Sequence, residues 1–224
     1  MKIIQPTYEI LTPISEGGIQ ELQRIEKAAR VCYKSEDRIT EDGESAKKMV
    51  KTLIKNGHTA MIEHSQLSVL FTVDRGISHE AVRHRIASFA QESTRYVNYS
   101  KDKFGSEISV IDIRGGIALD TKMQELSSEV ITEIIAEWFH AIADAEQHYM
   151  KMIELGATPQ IARSVLPHST KTEIVITTNY REWRNIFNLR TNIAAHPQMR
   201  EIMIPLLKEL KEKLPIIFDD IEVE

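Results

Sequence analysis

Apolar residues return every three or four positions along several stretches of this chain and alternate along others. After Ser15-Glu16-Gly17-Gly18, the positions Ile19, Leu22, Ile25, Ala28, Ala29 and Cys32 keep helical spacing. Glu44 to Asn56 repeats the pattern with Met49, Leu53 and Ile54 inward, and Gly57 is its stop signal. The longest run is Thr121 to Leu155, where Met123, Leu126, Val130, Ile134, Trp138, Ile142, Ala145, Tyr149 and Met152 form one stripe that Gly156 closes. Thr158-Pro159 fits a cap followed by Pro at the first helical position, opening a short helix through Leu166. Trp183–Leu189 and Pro197–Leu214 also read as helices, and Ser78 caps a further one running to Phe89. Two segments read as strands instead: β-rich Ser65–Val73, bounded by Asp74 and Gly76, and alternating Thr172–Thr178. Residues 3–12 are extended between Pro6 and Pro13, 35–43 are a polar loop, and 97–118 are irregular apart from the apolar piece Ile108–Ile111. No repeat, low-complexity tract or linker interrupts this order. The pattern predicts an α+β fold: one domain over residues 1–224, with a mainly antiparallel sheet flanked by helices, one of them long (121–155).

Composition narrows the classes. A chain of 224 residues with 42% hydrophobic and 27% charged residues is an ordinary globular protein with room for a large core. No apolar stretch is long enough to span a membrane, and Met1–Pro6 lacks the apolar core of a secretory signal. The single cysteine, Cys32, rules out a disulfide framework and a cysteine-built zinc site, and fits a reducing cytoplasm. A net charge of −5 argues against nonspecific nucleic-acid binding.

Against that acidic background, Arg83-His84-Arg85-Ile86-Ala87-Ser88-Phe89-Ala90-Gln91-Glu92-Ser93-Thr94-Arg95-Tyr96 is a local positive cluster rich in hydroxyl and amide groups. The guanidinium fork matches a phosphate bidentately and stays charged at any relevant pH. On a helix, Arg83 and Arg85 would point to nearly opposite faces. So either the helix ends there, or these arginines serve two ligands or two subunits. Three further clusters stand out: Gly57-His58 with Glu63-His64, the Ile161–Pro167 element around Arg163, and Asn179–Arg190. In the last, a helix would place Arg181, Asn185 and Leu189 on one face and Ile186 with Arg190 on a neighbouring one. Each alone would pass as a capped loop or a solvated helix face. His79-Glu80-Ala81-Val82-Arg83 begins like a zinc-protease motif but has arginine at the second ligand position, and the other histidines lack metal spacing, so no metal is expected. No Gly-x-Gly-x-x-Gly or Gly-Lys-Thr loop is present. Cys32 sits among apolar neighbours and reads as a buried, inert thiol.

Arg-His-Arg, seven residues, then Ser93 and Arg95 resembles the signature of the flavin-dependent thymidylate synthases. The other clusters resemble further segments of that family, in order from Ala28 to Arg190. The resemblance implies methylation of dUMP to dTMP, with 5,10-methylenetetrahydrofolate giving the carbon and FAD, reduced by NADPH, giving the hydride. It implies Arg190 and Ser93 as catalytic groups, Arg190 polarising a uracil carbonyl and Ser93 positioning the nucleotide. For dUMP it implies Glu80, Arg83, Gln91, Ser93, Thr94, Arg95, Arg163 and Arg190. For FAD it implies His58, Glu63, Arg83, His84, Arg85, Gln91, Asn179, Arg181 and Asn185. It also implies a cytoplasmic homotetramer with active sites between subunits, small-molecule partners, and neither nucleic acid nor membrane. Gln91 stands where many members have Glu, and Glu80 where Gln is frequent. The longer Thr191–Gln198 stretch leaves His196 without an assigned role. Two other readings are a phosphate-binding module without catalysis, and a flavoenzyme methylating uracil in RNA. The low positive charge counts against both.

Overall fold

A computed structural model of the chain describes residues 1–101 and 105–223. The strands are β1 (Lys2–Ile4), β2 (Thr7–Ile10), β3 (Gln66–Asp74), β4 (Ser88–Gln91), β5 (Ser109–Ile111) and β6 (Lys171–Asn179). The helices are α1 (Ile19–Tyr33), α2 (Glu44–Lys55), α3 (Arg75–Ala81), α4 (Arg114–Leu119), α5 (Ser128–Glu154), α6 (Pro159–Ala162), α7 (Tyr180–Arg190), α8 (Pro197–Lys213) and α9 (Pro215–Phe218). Strands β2-β3-β6-β4 form an antiparallel sheet, and β1 pairs with β5 in parallel. The α+β fold with a mainly antiparallel sheet is what the sequence pattern predicted.

Alternation along β3 buries Leu67, Val69, Phe71 and Val73 on one face. Ile174 and Ile176 of β6 join them, and α1, α2, α7, α8 and α9 close over that face. Trp183 lies at its centre, and its indole N–H donates to the Leu67 carbonyl at 3.0 Å. A second apolar cluster packs Ile142 and Tyr149 of α5 against Ile108, Val110, Tyr99 and Ala162.

Four expectations are corrected. The helix expected over 78–89 ends at Ala81. Residues 88–91 instead pair with the free edge of β6, which satisfies their backbone groups and places Phe89 against the core. The long helix starts at Ser128, not Thr121: Ser127 caps it by accepting from the Val130 N–H, while Met123–Glu125 make a separate short turn. The stretch 97–118 contains β5 and α4, and its residues 102–104 lie outside the described residues. Cys32 is exposed, because the last turn of α1, Val31–Tyr33, runs past Ala29 and Arg30, the last buried residues of that helix.

Candidate active site

Sheet register decides which sequence clusters can meet. Gln66 lies opposite Asn179, and Asp74 opposite Lys171. The loop before β3 therefore arrives beside the start of α7, and there Arg181 Nη1 donates to Glu63 Oε1 at 2.6 Å, both side chains largely exposed. Ser88 opposes Thr177, so the residues leading into β4 reach the same end of the sheet, where the Thr178 hydroxyl donates to the Ile86 carbonyl. Gln91 opposes Ile174, so residues after β4 emerge at the other end. The four-residue strand separates the two groups by roughly 10 Å.

At the Asn179 end, two of these clusters and Glu80 of α3 join in one network. His84 is 7% exposed. Its Nε2 accepts from Arg190 Nε at 3.0 Å, and its Nδ1 lies 3.3 Å from Glu182 Oε1. Arg190 Nη1 donates to Glu80 Oε2 at 3.1 Å, and Nη2 to the Glu80 carbonyl at 3.2 Å. Burial, and then the charge of Arg190, hold the imidazole below its ordinary pKa, against the opposing pull of Glu182. The Asn179 side chain caps α7 by accepting from the Glu182 N–H at 2.9 Å. Asn185 Nδ2 donates to Glu182 Oε1 at 3.2 Å. Arg83, Arg85 and His58 are exposed, and none has a side-chain partner among the described residues.

At the other end, Arg163 Nη1 donates to Thr94 Oγ1 at 3.3 Å. The Arg95 guanidinium lies 5.5 Å from the Tyr96 ring centre, a cation–π distance. Ser93 Oγ accepts from the Arg95 N–H at 3.3 Å, and no base contacts it among the described residues. Gln91 Nε2 donates to Ser78 Oγ at 2.8 Å and Thr172 Oγ1 at 3.2 Å, so its nitrogen is committed and its oxygen can only accept. The ends differ chemically: one is a guanidinium held by acceptors, the other a set of arginines with hydroxyls.

The donor set suits a flavin dinucleotide. Arg83 and Arg85 are exposed cations, which suit charge-assisted hydrogen bonds to a pyrophosphate. Asn185 exposes an amide that can both donate and accept. Among the described residues, no group of three or more His, Cys, Asp or Glu side chains is arranged to hold a metal. No helix among them is long and apolar enough to cross a membrane. Glu182 was not among the candidate residues, because its contact with His84 spans 98 positions and no local spacing marks it.

A family model described as "Thymidylate synthase complementing protein" matches residues 19–216. The chain is 31% identical over 215 residues to a flavin-dependent thymidylate synthase of Corynebacterium aurimucosum, spanning 94% of this chain and 84% of that protein. It is 30% identical over 200 residues to one from Mycolicibacterium vanbaalenii, spanning 89% and 79%. A Corynebacterium glutamicum protein of the same description is 29% identical over 206 residues, spanning 89% and 79%.

Proposed function

The chain belongs to the flavin-dependent thymidylate synthases, and on that premise we propose that it converts dUMP to dTMP. 5,10-Methylenetetrahydrofolate donates the carbon and leaves as tetrahydrofolate. Bound FAD, reduced by NADPH, supplies the hydride. The observation that carries the reading is the hydrogen bond from Arg190 to His84, which unites the signature motif with the Asn179–Arg190 segment in one part-buried network.

Uracil is a weak electrophile, so its ring needs fixed donors at a carbonyl. Arg190 is the group we assign to that work, with Glu80 beside it. Thr94, Arg95 and Arg163 bind the nucleotide phosphate, Ser93 positions it, and the Gln91 oxygen accepts from the nucleotide. Arg83 meets both ligands. FAD is held by His58, Glu63, Arg83, Arg85, Asn179, Arg181 and Asn185, with Gln91 at its border and His84, both ring nitrogens of which are taken by Arg190 and Glu182, supporting Arg83 and Arg85 from behind.

One chain leaves the two groups at opposite ends of β4, and it leaves apolar side chains around them in water. Ile86 is 68% exposed and Tyr96 80%, with Val82, Ile161, Leu189 and Ile193 exposed nearby. Both features support an assembly, a homotetramer in our reading, whose active sites combine groups from different subunits. We read residues 1–224 as one domain working in the cytoplasm.

The test is anaerobic NADPH oxidation by the purified protein with FAD, with and without dUMP, followed by assay of dTMP once the folate is added. Acceleration by dUMP and formation of dTMP are expected. Absence of flavin reduction in both conditions overturns the proposal.

A further inference from the structure

We propose that Glu182 is a positioning residue that fixes His84 as the Nδ1–H tautomer and thereby aims the guanidinium of Arg190. The inference rests on the reading of Arg190 as the group that meets the uracil.

The tautomer follows from donor and acceptor bookkeeping. Arg190 Nε carries a hydrogen and no lone pair, so the ring nitrogen it meets at 3.0 Å has to accept. His84 Nε2 is therefore unprotonated, and the neutral ring carries its hydrogen on Nδ1. That nitrogen faces Glu182 Oε1 at 3.3 Å. Glu182 is itself held in place. Its side chain is 12% exposed, Asn185 donates to the same oxygen, and its own N–H is fixed by the Asn179 cap.

The chain of contacts ends usefully. Of the five N–H donors on Arg190, one goes to His84 and two to Glu80. One hydrogen on Nη1 and one on Nη2 stay uncommitted among the described residues, a pair suited to a carbonyl oxygen. With the other tautomer, two N–H groups would face each other at Nε2 and push the guanidinium out of this orientation. The groups facing His84 are Glu182 and Arg190 from α7, with Glu80 of α3 reaching it through Arg190.

Reach and acceptor character, not charge, are what this role needs. Glu182→Gln keeps an oxygen at the same distance and is expected to keep both the tautomer and kcat within about threefold. Glu182→Asp keeps the charge but withdraws it by one methylene, and Glu182→Ala removes it. Both are expected to lower kcat by about 10- to 100-fold, with a smaller change in KM for dUMP, because the donor is misaimed and not lost. The direct readout is the ¹⁵N spectrum of histidine-labelled, ligand-free protein, with His84 assigned through its loss in His84→Gln. Wild type and Glu182→Gln should show protonated Nδ1 and bare Nε2, and Glu182→Asp a gain of Nε2–H. A wild-type Nε2–H tautomer overturns the proposal. So does the reverse ranking, with Asp active and Gln inactive, which marks a purely electrostatic role. Because the spectrum needs no flavin or dUMP, failure of the proposed reaction would appear separately, as wild-type protein with the expected tautomer and no turnover.

Discussion

Arg190 and Glu80, 110 positions apart, meet twice: Nη1 on the carboxylate at 3.1 Å and Nη2 on the backbone carbonyl at 3.2 Å. The backbone contact ties the guanidinium to the last turn of α3, so its direction is set by the fold and not by a flexible partner alone. Arg190→Ala should lower dTMP formation by at least about 100-fold, the loss typical of removing one fixed donor. The protein should still fold, since the Glu80 side chain it abandons is 35% exposed and can turn to water. A thermal melt beside a dTMP assay checks both points; a folded variant with normal turnover removes the assigned role.

Arg163 holds Thr94 and lies at the opposite end of β4 from Arg190. Its removal should act on binding. Arg163→Ala is expected to raise KM for dUMP by about 10- to 100-fold through loss of a charge-assisted phosphate contact, with a much smaller effect on flavin binding. Steady-state kinetics and flavin titration separate the two. An unchanged KM excludes Arg163 from the phosphate site.

Glu201 gives a stability prediction. Burial, then the nearby Asp112 and Asp74 carboxylates, raise its pKa from 4.5 to about 7. The folded protein therefore binds this proton more tightly than the unfolded chain. No stability is lost below pH 4.5, where both states are protonated; stability falls as pH rises from 4.5 to about 7. Glu201→Gln should flatten that fall and be more stable than wild type at pH 8. After discounting for partial exposure, the gain is on the order of 1–2 kcal/mol. Urea unfolding at pH 5 and pH 8 tests it; equal stabilities at pH 8 would contradict the assignment.

His84 works in the opposite direction. Its folded-state pKa lies below the ordinary 6.5, so the unfolded chain takes up the proton first. Its contribution is complete above pH 6.5 and is lost as pH falls through that value toward the folded pKa. His84→Gln should show a shallower drop in Tm below pH 6.5 than wild type. Parallel curves would mean that the buried imidazole titrates normally.

Cys32 is exposed at the end of α1. Cys32→Ala should retain dTMP formation within about twofold, as expected for a surface substitution away from the chemistry. Complete loss with flavin still bound would bring a cysteine nucleophile back into consideration.

Much of the architecture was legible along the chain. β-rich composition between turn residues located β3, and period-two alternation located β6, each within a residue or so. Helical spacing located α1 and α2 through the stripe each turns to the core, while α7 and α8 were read as helices with α7 begun three residues late, at Trp183 instead of Tyr180. The motif arginines were legible as residue types suited to phosphate. The β4 segment was not, since Ser88–Gln91 is a strand only because β6 offers it an open edge. Glu182 was hidden too, because its contact with His84 is non-local.

Fold class, most of the helices and central strands, and the inventory of charged and hydroxyl groups are written along the chain, because burial pattern and chemistry are local properties. Which of those groups meet depends on long-range packing. The antiparallel register of β3, β6 and β4 brings Glu63 to Arg181 and His84 to Glu182, and sends Thr94 to Arg163 at the far end. Helix α3, turning back from β3, then carries Glu80 to Arg190. A one-residue slip in any of these pairings would turn every side chain of that strand to the other face. The site is therefore a consequence of strand register, which long-range packing sets and no local window contains.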